Sequence, residues 1–303
     1  MIFYRETHKN RLYLFLSFIG FFSALIGTFL YFSGNIDILS FKSYNSTTAS
    51  TGFFVNRTVF SIFLLFCLIA SLEYLRNSSN ITEIFITRVY VRLFIVFITI
   101  GLITTFSRIG NFLLLVTMLF YMVNEFFIKR ENNNIFRNLI LIIILVDIII
   151  LGLYFGSFRI VDRFIFLENE FLETNNADVN FTRLQVIKFG FHQAYNYLFF
   201  GYGPGSFEVL FQIKFPNLSS SYANHAHSDL IQFIGEFGLV GFVLFFLSIS
   251  NFFLKSVTYN LKTYLLLLYL VVILFFDFSL HVPFIQFLFI TFFIVNQKFI
   301  NLS

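Results

Sequence analysis

The sequence predicts an all-α, polytopic membrane protein: about eight transmembrane helices, with a large helical extracytoplasmic loop between the fifth and sixth spans. Three observations predict it. Of 303 residues, 58% are hydrophobic and 12% charged, with a mean hydropathy of +0.82; soluble domains carry about 25% charged residues. Eight apolar runs approach the roughly 20 residues that a helix needs to cross a bilayer. Lysine and arginine are distributed unevenly among the segments that connect those runs.

The runs are 12–32, 59–75, 92–107, 109–127, 137–156, 237–254, 263–280 and 282–297. The first is too long for a signal-peptide core and lacks a small-x-small cleavage site, so it is read as retained. With the N-terminus in the cytoplasm, the inner side holds Arg5, Lys9, Arg11, Arg76, Arg88, Arg92, Lys129, Arg130, Arg137, Lys255, Lys262 and Lys298. The short outer segments hold only Lys42, Arg57 and Arg108. Segment 157–236 is left out because long loops translocate largely regardless of charge. Both termini are therefore expected in the cytoplasm. The chain divides into five N-terminal spans (1–156), an extracytoplasmic loop carrying the polar motifs (157–236) and three C-terminal spans (237–303).

Composition also excludes. The net charge of +4 is diffuse and forms no basic stripe, which argues against nucleic acid. The single cysteine, Cys67, leaves no internal disulfide and no multi-cysteine metal site. It reads as a small buried hydrophobe.

Four places carry polar chemistry that a bilayer normally excludes. In "TGFFVNRTVFS", Asn56 and Arg57 precede the second span on the outer side, where an arginine can also simply snorkel to headgroups. In "TTFSRIGNFLLL", Arg108 sits in a tight polar break between two apolar runs. A charge near the bilayer centre costs on the order of 3 kcal/mol and usually marks a pathway or a site; at the interface a plain turn explains it. In residues 180–203, helical winding puts Arg183 on one face with Ile187, Gly190 and Ala194, and Gln185, His192, Gln193 and Asn196 on the other. An arginine on a face of small residues wants an anion; the plainer alternative is that it bends out to water.

The fourth place is "GYGPGSFEVLF", followed by "NHAHSDLIQFIGEFG". Gly201, Gly203 and Gly205 around Pro204 predict a tight turn whose backbone N–H groups can approach a ligand, though without the Gly-Lys-Ser/Thr of a phosphate-binding loop. On one helix, His227 would share a face with Leu230, Ile231 and Ile234, while Asp229, Gln232 and Glu236 form a separate polar stripe. His225 and His227 make a poor metal pair, since imidazoles two apart splay on a helix and no third ligand has convincing spacing. A histidine at the outer mouth of a membrane domain, near arginines, reads better as a general base. Asp277 and His281, four apart at the outer end of the seventh span, read as a mutually satisfied structural pair.

These residues together resemble the O-antigen ligase and polymerase superfamily of bacterial envelope proteins over about residues 50–295. "GFFVNRTVF" is similar to the family's Gly-x-Phe-x-Asn-Arg-Asn segment, with Thr58 in place of the second Asn. "SRIG" is similar to its Ser-Arg-small segment, and Arg183 to Phe207 to its arginine-led helix running into Gly-x-Gly-x-Gly-x-Phe. "HSDLIQFIGEFG" is similar to its closing His-Asn/Ser-x-x-Leu and Glu-x-Gly signature. The resemblance implies a metal-independent, inverting glycosyltransferase without cofactor, in the bacterial inner membrane with its site facing the periplasm. It would move a glycan from undecaprenyl pyrophosphate to lipid A core or a growing polysaccharide. It implies His227, Arg183 and Arg108 as catalytic residues, and Arg57, Asn56, Gly203, Gly205, Asp229 and Glu236 as substrate-binding ones; His225, which has no counterpart in the family's motif, is counted with the substrate-binding residues for its place beside His227. Arginines suit a pyrophosphate leaving group because they bind it bidentately without Mg²⁺. The alternatives are a polymerase of the same superfamily and a small-anion transporter. A transporter should hold its charges near the bilayer midplane on broken helices.

Overall fold

A computed structural model of the chain describes residues 6–33, 49–77, 85–124, 182–215, 223–256 and 261–296. Among them every regular element is helical. The helices are α1 (Glu6–Phe32), α2 (Arg57–Asn77), α3 (Phe85–Thr104), α4 (Arg108–Val123), α5 (Arg183–Asn196), α6 (Phe207–Lys214), α7 (Asp229–Ser256), α8 (Leu261–Phe276) and α9 (Pro283–Asn296), with a 3₁₀ turn at Ser279–His281. Within them, His8–Phe32, Arg57–Asn77, Ile86–Thr104 and Asp229–Ser250 are long and apolar enough to cross a membrane; Arg108–Val123, Lys262–Phe276 and Pro283–Asn296 are shorter apolar helices. The expected fifth span, 137–156, lies outside the described residues. The chain falls into two compact units, Met1–Ser157 and Phe158–Ser303.

In the first unit α2 is the core, packed by α1, α3 and α4 and buried over most of its length. Lipid offers no hydrophobic drive for helices to associate, so close van der Waals approach matters and small residues gather at the contacts. Gly20 of α1 comes so near that a Cβ there would lie 2.4 Å from Cys67 Cβ, and one at Gly101 of α3 would lie 2.7 Å from Ala24 Cβ. Cys67 is thus a small packing residue, fully buried. Hydroxyls in these helices bond back to their own turns, as Ser17 Oγ donates to the Tyr13 carbonyl at 2.7 Å and Thr117 Oγ1 to Leu113 at 2.6 Å. That satisfies them where water is absent. Glu73, 1% exposed, accepts from Tyr121 Oη at 2.8 Å and pairs with Arg76 at 3.5 Å.

The polar break at 105–107 forms as the sequence suggests. Phe106 turns left-handed at φ 49°, and Ser107 caps α4 by accepting from the Gly110 amide at 3.1 Å. Arg108 is therefore the first helical residue. Arg57 stands in the same place on α2, behind Asn56, whose Oδ1 accepts from the Thr58 amide at 2.6 Å.

The second unit contains the polar island. Beneath it is a small apolar core of Val186, Phe207, Phe211, Ala223 and Ala226, with Phe189, Tyr202 and Phe215 against it. Phe207, the phenylalanine that follows the glycine turn, is 1% exposed at its centre. From Leu239 to Ser250, α7 is mostly apolar and largely exposed, as a lipid-facing helix must be.

Candidate functional site

Helix α5 starts at Arg183 because Thr182 and Gln185 make a reciprocal cap. The Gln185 amide donates to Thr182 Oγ1 at 3.3 Å, and the Thr182 amide to Gln185 Oε1 at 2.8 Å. A cation at a helix N-terminus opposes the helix dipole, by typically 0.3–1 kcal/mol. Arg183 meets that with acceptors from elsewhere. Its Nη2 donates to the Phe276 carbonyl at the C-terminal end of α8, lies 3.4 Å from the His227 carbonyl and is 3.9 Å from Asp277 Oδ1. The small residues on its helix face have a packing reason: a Cβ at Gly190 would already be 3.3 Å from Ala226 Cβ and from Ile231 Cγ2. Gln193, expected on the outward polar side with Gln185, His192 and Asn196, is buried instead, and its Oε1 lacks a hydrogen-bond partner. The helix rotates so that Val186, Gly190, Gln193 and Ala194 face inward.

The glycine turn docks by its main chain onto α7. The Tyr202 amide donates to the Gly235 carbonyl (2.9 Å), Gly203 to Glu236 (3.1 Å), Leu239 to Leu198 (2.7 Å) and Val240 to Phe199 (3.2 Å). The Glu236 carboxylate adds a fifth bond, accepting from the Gly205 amide at 2.8 Å, and its other oxygen accepts from Gln232 Nε2 at 2.9 Å. Backbones this close leave no room for side chains. A Cβ on Gly201 would lie 2.3 Å from the Glu236 carbonyl oxygen, and one on Gly238 2.3 Å from that of Phe199. Gly238 sits at φ 70°, ψ 177°, a break inside α7 in a region almost restricted to glycine. The amides of Gly203 and Gly205 are thus used within the protein, and Glu236 is the residue that holds them.

Asp229, Gln232 and Glu236 form one stripe on α7, as their spacing predicts, and all three are buried. Gln232 Oε1 also accepts from the Ala226 amide at 3.1 Å. His227 differs from expectation. It precedes the helix at φ 57°, so it shares no helical face with Leu230, Ile231 and Ile234. Left-handed backbone costs a non-glycine residue on the order of 1–3 kcal/mol and persists only where the surroundings impose it, often at functional sites. Here it carries the His227 carbonyl toward Arg183.

The pairing of Asp277 with His281 is also corrected. α8 ends at Phe276, so the two are not on one helix. Asp277 accepts from Ser279 Oγ, while its carbonyl accepts from the Asp229 amide at 2.9 Å. His281 Nδ1 is bound instead to Asp229 Oδ1, and Asp229 Oδ2 accepts from the Leu280 amide at 3.0 Å. The hydrogen bond from His281 to Asp229, more than the opposing effect of burial, raises the His281 pKa above the ordinary imidazole value.

Phe278 packs against two imidazoles, one of which touches a third. His225 stacks on its face at 4.8 Å and His227 meets its edge at 5.3 Å. The His225 ring is also 4.8 Å from that of His281. Burial, then the neighbouring His281, lowers the His225 pKa, and its buried Nδ1 has no hydrogen-bond partner. The second unit therefore brings together Arg183, Gly203, Gly205, His225, His227, Asp229 and Glu236. Asn56, Arg57 and Arg108 belong to the first unit. His281 escapes a sequence reading as a site residue, because only the end of α8 at Phe276 turns it toward Asp229.

The described residues are thus all helical or connecting segments, with an arginine, histidines and buried carboxylates gathered beside a glycine turn. The O-antigen ligase family model matches residues 93–246, just over half of the chain, and the chain belongs to that family. Its function is of the O-antigen ligase or polymerase type. No curated protein and no solved structure matches it.

Proposed function

We propose that the protein transfers a glycan from undecaprenyl pyrophosphate to an acceptor hydroxyl, of lipid A core or of a growing polysaccharide, at the outer face of the inner membrane. The observation that carries this reading is that Arg57, Arg108 and Arg183 are each the first residue of a helix. Helix N-termini favour anions and disfavour cations. An arginine there concentrates positive charge, which a pyrophosphate can use.

In the proposed reaction Arg183 and Arg108 bind the donor pyrophosphate, and Arg57, behind the capping Asn56, is a further donor contact. Gly203, Gly205 and Glu236 shape the acceptor side, with His225 and Asp229. His227 is the general base. The acceptor hydroxyl attacks the anomeric carbon and gives its proton to the imidazole. The bond to the pyrophosphate oxygen breaks, and its electron pair leaves with undecaprenyl pyrophosphate. The configuration inverts, and the arginines supply the charge that Mg²⁺ would otherwise bring.

Purified protein given a lipid-linked glycan and an acceptor should release undecaprenyl pyrophosphate, in EDTA as well as without it. Anion uptake into liposomes with no glycan transfer would overturn the reading. Topology is checked separately, by fusing a periplasm-dependent phosphatase after Phe215, expected active, and after Asn133 (outside the described residues), expected inactive.

A further inference from the structure

The base expected at His227 deals with the acceptor, and leaves open what meets the charge that builds on the departing phosphate oxygen besides arginine. We propose that His281, held by Asp229, is a further catalytic residue of this site, donating its Nε2 proton to the leaving pyrophosphate. The proposal rests on the transferase reading above.

Geometry carries it. His281 Nδ1 is bound to Asp229 Oδ1, and both Asp229 oxygens are used, the second by the Leu280 amide at 3.0 Å. The carboxylate is buried (side chain 5% exposed), whereas the His281 side chain is 33% exposed. An imidazole fixed at Nδ1 by a buried carboxylate turns Nε2, on the opposite side of the ring, away from its partner. Such carboxylate–histidine pairs set the tautomer and stabilise the imidazolium. Asp229 is joined through its amide to the Asp277 carbonyl, and Asp277 faces Arg183 at 3.9 Å. The Arg183 guanidinium and the His281 imidazole therefore bracket the two buried carboxyl groups of Asp277 and Asp229.

The charged and titratable groups around His281 are Asp229 and Glu236 on α7, His225 and His227 before it, Asp277 after α8, and Arg183 on α5. The two carboxylates of α7 raise the His281 pKa, whereas burial and His281 lower that of His225. Two imidazoles in ring contact with pKa values pushed apart are the pattern of an acid assigned to one group and neutrality to its neighbour. In the step itself, the bond from the anomeric carbon to oxygen breaks, its electron pair stays on the pyrophosphate, and that oxygen takes the His281 Nε2 proton. His281 recovers a proton from water after product leaves.

The test is the pH dependence of turnover by the purified full-length protein, with a synthetic undecaprenyl-pyrophosphate-linked glycan as donor. In parallel, diethyl pyrocarbonate labelling of His281 across pH 5–9 is read by mass spectrometry of its peptide, which reports protonation without needing activity. Wild type should give a bell-shaped profile whose basic limb coincides with the labelling midpoint of His281. Asp229→Asn should move both to lower pH together and leave the acid limb where it is. His281→Gln should lower turnover by about 10²-fold or more and abolish the basic limb. If Asp229→Asn does not fold, the His281→Gln profile decides alone. Transfer whose basic limb ignores either substitution would sink the His281 role and leave the transferase reading intact. Wild-type protein that transfers no glycan at any pH would sink the transferase reading, and this role with it.

Discussion

Replacing Gly238 by alanine should destabilise the second unit more than the same change at Gly205 of the turn. The backbone at φ 70°, ψ 177° costs a side-chain-bearing residue on the order of 1–3 kcal/mol by itself. The new Cβ would also lie 2.3 Å from the Phe199 carbonyl oxygen and 2.6 Å from the Gly201 nitrogen. Both are main-chain atoms, so no rotamer relieves the clash. Relief means separating the two backbones and losing the flanking bonds from Leu239 to Leu198 and from Val240 to Phe199, each worth about 0.5–1.5 kcal/mol net. Together these give about 2–6 kcal/mol for Gly238→Ala. Gly205→Ala is the control, since φ there is +69° but nothing lies within 4 Å of a new Cβ, leaving only the left-handed penalty of about 1–2 kcal/mol. Thermal unfolding of the purified variants in one detergent measures the difference. If Gly238→Ala melts no earlier than Gly205→Ala, the backbone docking has been given too much weight.

Arg183→Lys keeps the charge but loses the planar fork, so it should bind donor more weakly, by about 10-fold or more, as measured by donor titration. Wild-type affinity would remove Arg183 from the donor site. His227→Asn suits the left-handed backbone better than other replacements and should cut turnover by about two to four orders of magnitude with donor binding kept; His225→Gln should cost much less. For stability, the raised His281 pKa means that its pairing with Asp229 stabilises fully below the ordinary imidazole value of about 6.5 and is lost as pH rises through the folded value. The lowered pKa of His225 works the other way, its contribution present above about 6.5 and lost as pH falls through the folded value. Melting temperature against pH should accordingly lose its alkaline decline in Asp229→Asn, and an unchanged curve would contradict the pairing.

Much of this arrangement is legible from local signals. Serine before Arg108 and threonine before Arg183 mark helix starts, the 229, 232, 236 spacing marks one helical face, and the apolar runs mark the helices of the described residues. What escapes is long-range or breaks a period. The three turn glycines announce a turn, but nothing local says that Gly238 and Glu236, more than 30 residues on, receive it. Extending the helical period back to His227 fails because that residue turns left-handed. Extending α8 to His281 fails because Ser279 and the Asp229 carboxylate compete for the chain beyond Phe276. Gln193 looks outward only because it is polar.

Phe278, with an imidazole on its face and another on its edge, has a practical side in a chain that contains no tryptophan. The protein is dark in the spectral window where indole emits. An indole placed at 278 would be the sole emitter of its kind, in contact with His225 and His227, and a protonated imidazole quenches such emission more than a neutral one. The brightness of that single ring against pH would turn the proton inventory of the cluster into an optical signal, readable in a bilayer and without any substrate.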